Sequence, residues 1–599
     1  MFDGKPRLLI LGLALALCGV HPGSAPAQQV TLAPDGWFRL ADGGLFVPLG
    51  GFHGNVLPVS RLQLSPEERA RLEAHIWSAQ KTDGEGHVDL WDASDAMLAR
   101  WFRRLSADGV TALRLFARAR VSDDVLDLGG KLNPELKAVF RRTFAAARPY
   151  GIRFLLQILP EPGSMCYTNR RALERRVLPR YSRAELAALT PAQRKFLLEG
   201  KRVTLDQLFT DEDVLACQKQ YLHEALEWIA AEPQVFALEI YNEQGWTHRP
   251  LDGKAGYTYT FPWEDAEIRW TAEIVRAIKT RLPAMPVTLS HPGFGVTGYD
   301  PLKWSKGAGV DFYSSHMYAG LCGENETIDF AAVTAATGAV IAAGIPNFSG
   351  EWGVFSSPVP MDMKRFSHRD AIWLSLLSGR PGFFQWTYEF PEEYRWASEV
   401  MRSLPRGFTP ARPQVEIDIG EAYRTFQNNE RYARFVAGRL FPAFPFNRDK
   451  QSDPNIQKIL AAYRRSLAIG VPVAFAMGGG RSMSIERFLS LDASRFDRPI
   501  RAGGGYECAW MKDANRPLWI AYFRRRRVRE YGRHFVGVPD AGPLEIRLDL
   551  PKGSYRARLI DPGAAHDEVR NIGNREVLKI AGPATADRIL VISPARGHQ

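Results

Sequence analysis

The chain has 599 residues, of which 45% are apolar, 24% charged and 11% aromatic, and it carries a formal net charge of +11. This composition excludes an intrinsically disordered polymer, a collagen and a disulfide-dense miniprotein, and the length accommodates several domains. No internal run approaches the roughly 18 apolar residues that a membrane span needs, so no integral membrane contact is expected.

In chain order, the first element is a leader. Lys5 and Arg7 precede an apolar run from Leu8 to Val20, and Ala25 and Ala27 form a small-x-small cleavage site. Residues 1–27 therefore read as an export signal, with a periplasmic or extracellular destination. Cys18 follows Leu17, which is too large for the usual lipid-attachment site. The remaining cysteines are Cys166, Cys217, Cys322 and Cys508. In an oxidising compartment Cys166 and Cys217, which bracket one long insertion, are the preferred pair. No Cys/His spacing suits zinc, and neither a metal nor an organic cofactor is expected.

From about residue 40 to 395, short β-like runs alternate with helical ones. The β-like runs are 44–50, 109–116, 152–159, 235–241, 285–290, 310–314, 345–349 and 382–386. Several are continuously apolar, as parallel strands buried on both faces are. The pattern predicts a (β/α)₈ barrel over 28–412, and the Gly-rich nucleotide loop of an open doubly wound sheet is missing. Insertions at 160–213 and 388–412 follow the third and eighth runs, so they are expected on the active-site face beside a substrate cleft. Residues 413–505 read as a small α/β or helical module. Residues 506–599 alternate apolar and polar with turn signals, which predicts an antiparallel β-sandwich. The densest positive cluster, Arg524 to Arg527, falls there and is read as a solvent-exposed hairpin rim. An acidic polysaccharide is its alternative partner, and nucleic acid is not expected.

Barrel enzymes place their working groups at the carboxyl ends of the strands. The fourth run leads into Asn242-Glu243, and the seventh into Glu351. Two carboxylates on well-separated strands are what retaining glycoside cleavage needs, with about 5 Å between them. Arg114 ends the second run, where a fixed cation would keep a nearby carboxylate ionised. His316 and Tyr318 follow the sixth run, and Trp386 ends the eighth with an indole face suited to a sugar ring. His53 and Asn55 follow the first run and His291 the fifth, while Trp246 lies just beyond Glu243. No nucleophile elbow, Walker loop or His-Glu-x-x-His sequence appears.

This ordered set resembles the glycoside hydrolases of clan A, most similar in pattern to the family 5 cellulase and mannanase group. The resemblance covers about residues 40–390. It implies that Glu243 is the acid/base, Glu351 the nucleophile, and that Arg114, Asn242, His316, Tyr318 and Trp386 support them. The implied activity is an O-glycosyl hydrolase working by double displacement on an oligo- or polysaccharide. One departure is plain: the family follows Asn-Glu with proline, whereas this chain has Gln244. The alternative reading is a non-catalytic carbohydrate-binding or cell-surface scaffold protein on the same barrel.

Overall fold

The computed structural model describes residues 30–595 apart from 53–55, 59–61, 74–76, 79–85, 117–133, 160–177, 200–203, 252–253, 260–262, 293–300, 320–343, 355–360, 387–389, 426–453, 479–481, 526–542, 563–565 and 581–586. The leader, His53, Asn55, Cys166 and Cys322 therefore lie outside the described residues.

Eight parallel strands close into a barrel: β1 (Leu49–Phe52), β2 (Ala112–Phe116), β3 (Arg153–Gln157), β4 (Val235–Glu239), β5 (Val287–Pro292), β6 (Phe312–Ala319), β7 (Asn347–Val354) and β8 (Phe383–Gln385). Each follows its neighbour in order around the barrel, and β8 pairs with β1 to close it. The first run is displaced, and the fifth, sixth and seventh strands run past their expected ends to Pro292, Ala319 and Val354. Pro48 has no N–H to give a central ladder, so the strand starts at Leu49. Residues before it turn beneath the barrel, where the Phe46 N–H donates to the Phe38 carbonyl at 2.9 Å.

The barrel interior is layered. Phe38, Phe46, Ala112, Leu155, Phe236, Ala237, Phe312, Phe348 and Phe384 form one buried cluster, with edge-to-face ring pairs such as Phe348–Phe384 at 4.9 Å. Side chains two positions further along a strand lie on the same face. Beyond Ala112, Leu155, Ala237 and Phe312 that rule places Arg114, Gln157, Glu239 and Ser314, all buried. An apolar plug thus supports a polar layer at the carboxyl ends.

The outer layer includes α1 (Asp95–Ala107), α2 (Pro134–Ala147), α3 (Glu212–Ile229), α4 (Glu264–Arg281), α5 (Pro301–Ala308), α6 (Met361–Leu377) and α7 (Glu393–Ser403). Helix α1 shows why these form. Ser94 caps it by accepting from the Met97 N–H, and Met97, Leu98, Trp101, Phe102 and Leu105 make one buried stripe at helical spacing. The insertions differ from expectation, because their described parts lie in this outer layer. The short helices of 160–213 pack on α3 and α4, with Phe209 edge-on to Trp270 at 5.5 Å. Helix α7 lies within 388–412, packs on α6, and sends the Tyr394 hydroxyl to the Gly50 carbonyl.

After the barrel, Val415–Asp418, Val473–Ala476 and Met483–Ser484 form a small parallel sheet, with Pro454–Ile469 as its main helix. A C-terminal pair of antiparallel sheets of three and five strands follows, sharing a core that includes Trp510, Trp519, Phe523 and Leu590. Its first strand is Ile500–Ala502, slightly ahead of residue 506.

The described half of the positive cluster departs from the exposed rim that its sequence suggested, while Arg526 and Arg527 lie outside the described residues. Arg524 and Arg525 are buried. Arg524 pairs with Glu507 at 2.8 Å and with Asp370 of α6 at 3.1 Å, so it joins the sandwich to the barrel. Isolated guanidinium groups are too costly to bury, and the neighbouring carboxylates supply the countercharge. Among the described residues, no helix is long and apolar enough to cross a membrane.

Candidate active site

The polar layer converges on Arg114, whose side chain is fully buried. Its Nε donates to Glu239 at 2.6 Å and its Nη2 to the other Glu239 oxygen at 2.7 Å, a bidentate pair. Nη2 also donates to Asn242 Oδ1 at 2.8 Å, and Nη1 donates to Glu351. Burial works against the guanidinium charge, but the Glu239 and Glu351 carboxylates outweigh it and raise the pKa above its ordinary value. Arg114 is therefore a permanent cation held between two acids.

Glu351 reaches this point through a bulge. Ser315 of β6 pairs with Ser349 of β7, but the next residue, His316, pairs with Glu351. Gly350 is the extra residue, and such insertions re-aim side chains beside active sites. A Cβ on Gly350 would lie 1.9 Å from Ser314 Oγ and 3.2 Å from the His316 ring. Only glycine lets the two strands approach this closely while Glu351 turns inward.

Glu243 arrives from the opposite side, on the turn that follows β4. Its φ is 54°, in the left-handed region that non-glycine residues seldom occupy. Its N–H donates to Ser290 Oγ at 3.0 Å. The Glu243 side chain keeps 16% of its surface open, against 2% for Glu351. One carboxylate thus faces the opening and the other lies at the floor.

His316 stands between them. Its Nδ1 is 3.1 Å from Glu243 Oε1 and 3.4 Å from Glu351 Oε2. Burial, reinforced by the Arg114 cation and by His291, holds the imidazole pKa well below its usual value. With its proton on Nδ1, the neutral ring donates toward these two oxygens. One donor atom each from Glu243, His316 and Glu351 fall within 4.8 Å of one another. These are also the groups that could ligate a divalent cation, but Arg114 already matches the Glu351 charge.

The other expected residues divide. Asn242 joins the network through Arg114. Trp386 is half-buried beyond β8, and its backbone N–H donates to the Trp352 carbonyl at 2.7 Å. The Tyr318 backbone pairs with Gly353 in β6 and β7, and Trp246 pairs with Tyr259 in the hairpin Trp246–Leu251/Lys254–Tyr259; their side chains lie outside the description. His291 turns toward the helical layer instead. Its Nδ1 meets the Tyr313 hydroxyl at 2.9 Å, and its ring packs edge-on against Trp304 of α5. Strand alternation explains this: Ser290 faces inward, so its successor faces out.

Glu239 and Gly350 are the residues that motif reading missed. Glu239 carried a signal, being a lone acid on the inward face of the apolar stretch Val235–Leu238. A carboxylate there needs a buried cation.

No protein-family model and no curated protein matches this sequence. Solved structures give broader likenesses. An exo-beta-1,4-mannosidase from Opitutaceae bacterium strain TAV5 is 14% identical over 74% of this chain and 72% of its own, with a TM-score of 0.43. A family 5 glycoside hydrolase from Bacteroides vulgatus ATCC 8482 is 10% identical over 95% and 93%, at 0.42. A Streptomyces cattleya enzyme solved with Manb1-4GlcNAc is 14% identical over 67% and 96%, also at 0.42. Likenesses this distant assign no residue a role. The chemistry rests on the geometry around Arg114.

Proposed function

We propose that the chain is an exported retaining β-glycoside hydrolase that acts on an oligo- or polysaccharide by double displacement. The observation that carries this reading is the closeness of Glu243, His316 and Glu351, whose donor atoms lie within 4.8 Å. Retaining enzymes hold their carboxyl groups about 5–5.5 Å apart, whereas inverting enzymes leave a wider gap for water.

Glu351, buried and bonded to the Arg114 cation, is the nucleophile. It attacks the anomeric carbon while Glu243, on the open side, passes a proton to the departing oxygen. The glycosyl–Glu351 ester is then opened by water, whose proton returns to Glu243. As Glu351 loses charge to the new bond, Arg114 keeps its countercharge in Glu239, so no unpaired cation is left in the floor. The His316 Nδ1–H bridges both acids and aligns them without adding charge. Export rests on the leader pattern of residues 1–27. Arg524 and Arg525 are buried and so give no support to an acidic substrate.

The test is Glu351→Ala. Hydrolysis should fall by roughly 10⁴-fold or more, and azide should restore turnover with a glycosyl azide of inverted anomeric configuration. Hydrolysis at the wild-type rate would refute the assignment.

A further inference from the structure

The turn that carries Glu243 is held from behind by groups that take no part in the chemistry described above. Glu243 has φ 54° and Gly245 has φ 83°, so two of three successive residues are left-handed. Such a turn costs free energy in Glu243 and persists only if its surroundings impose it. The restraints come from two elements. On β5, Ser290 Oγ accepts from the Glu243 N–H, and the Ser290 carbonyl accepts from the Gln244 N–H at 2.7 Å. On α4, Glu267 Oε1 accepts from the Gly245 N–H at 3.0 Å and from the Tyr241 hydroxyl. Gln244 Nε2 donates to Thr271 Oγ1, one helical turn further along, at 3.0 Å.

Gln244 stands where the family that this chain resembles has proline. Proline has no N–H and could not bond the Ser290 carbonyl. The polar fastening to β5 and α4 therefore belongs to this sequence. Glu267 is its hub, fully buried and reaching both flanks of the turn with one oxygen. Burial pushes its carboxyl up to about 8, against the opposing effect of the Gly245 N–H. A protonated acid can occupy this apolar site without a partner charge.

We propose that Glu267 is a positioning residue for the acid/base: it clamps Tyr241 and Gly245, and so holds the Glu243 carboxyl toward the leaving oxygen. The inference rests on Glu243 being the acid/base. It separates from a general structural role through leaving-group dependence. A 2,4-dinitrophenolate departs without protonation, whereas a phenolate needs the acid, so a misplaced Glu243 harms only the second.

The experiment compares kcat/KM for phenyl and 2,4-dinitrophenyl β-glycosides of glucose, mannose and their β-1,4-linked trisaccharides. In Glu267→Ala the phenyl value should fall about 10–100-fold, while the dinitrophenyl value stays within about twofold. Glu267→Gln, which keeps an acceptor for Gly245, should recover most of the phenyl rate lost in the alanine variant. Tyr241→Phe removes one hydroxyl without opening a cavity and should show a smaller loss with the same selectivity. This variant keeps the test open if Glu267→Ala does not fold. Equal losses on both leaving groups, or no loss, would overturn the inference while leaving the hydrolase reading intact. Wild-type protein that releases neither phenol would overturn the hydrolase reading, and this inference with it.

Discussion

Arg114 serves two acids at once, and this sharing gives Glu239 a role that no motif marks. Its two bonds fix the guanidinium plane, leaving Nη1 aimed at Glu351. Glu239→Gln removes one of the two countercharges and one good acceptor. Breaking a buried ion pair on one side costs about 3–5 kcal/mol. We therefore expect a stability loss of that order in denaturant unfolding, together with a fall in kcat. Unchanged stability would show that Glu351 alone satisfies the cation. Glu243 and Glu351 were legible in the sequence because strand ends can be located from local apolar runs. Their separation was not, because it depends on Arg114 and His316 arriving from β2 and β6.

At the scale of elements, the decisive feature is the β6–β7 register. One extra residue, Gly350, shifts the pairing so that His316 and Glu351 stand side by side. A methyl at Gly350 must displace the Ser314 hydroxyl or open the two strands. Gly350→Ala should cost about 1–3 kcal/mol as overpacking and lower kcat at least tenfold, because any relief moves Glu351 from Arg114. A melting curve and a rate measured on one preparation test both parts. A variant with wild-type kcat would mean that Ser314 alone yields. The positions of the strand runs were readable from sequence, since apolar continuity is a local property, but the shift at Pro48 and the extension of β6 and β7 to Ala319 and Val354 were not. The bulge was not, because the expected run stops at residue 349 and an extra residue is defined only against the partner strand.

Across the whole molecule, the sandwich and barrel share buried charge and buried aromatic surface. Arg369 of α6 pairs with Glu393 and reaches Asp587, while Asp370 accepts from the Tyr522 hydroxyl and pairs with Arg524. Trp373 stacks on Tyr522 at 6.1 Å. Asp370→Ala leaves Arg524 with Glu507 and should destabilise the joint by about 3–5 kcal/mol. Calorimetry should then show the sandwich melting ahead of the barrel. A single transition at the wild-type temperature would contradict a strong coupling.

The pH dependence of stability is also a property of the whole. Burial depresses the pKa of His291 and His368 to about 3, and burial with Arg114 and His291 depresses that of His316. The ordinary histidine value is 6.5. Unfolding below it therefore takes up protons on three imidazoles, and stability falls as pH drops from 6.5 toward 3. Glu267, raised from 4.5 to about 8, works oppositely: its contribution is present below 4.5 and is lost as pH rises through 8. Between pH 4.5 and 6.5 the histidines outnumber it, which gives a net slope of about 2–3 kcal/mol per pH unit at roughly 1.4 kcal/mol per proton. Urea midpoints across this range should rise with pH and turn over near neutrality. A flat profile would mean that these imidazoles are already charged in the folded protein.

The sequence by itself determined the alternation that makes the barrel, the strand ends that carry Glu243 and Glu351, and the antiparallel character of the C-terminal region. Each depends on spacing between near neighbours, which period and turn chemistry set directly. The tertiary structure decided which charges meet. It paired Glu239 with Arg114, placed His316 between the acids through the Gly350 bulge, turned His291 outward and buried Arg524 against Asp370. Those outcomes depend on contacts between residues far apart in the chain. In a low-dielectric interior, a charge takes its meaning from the partner that folding brings to it.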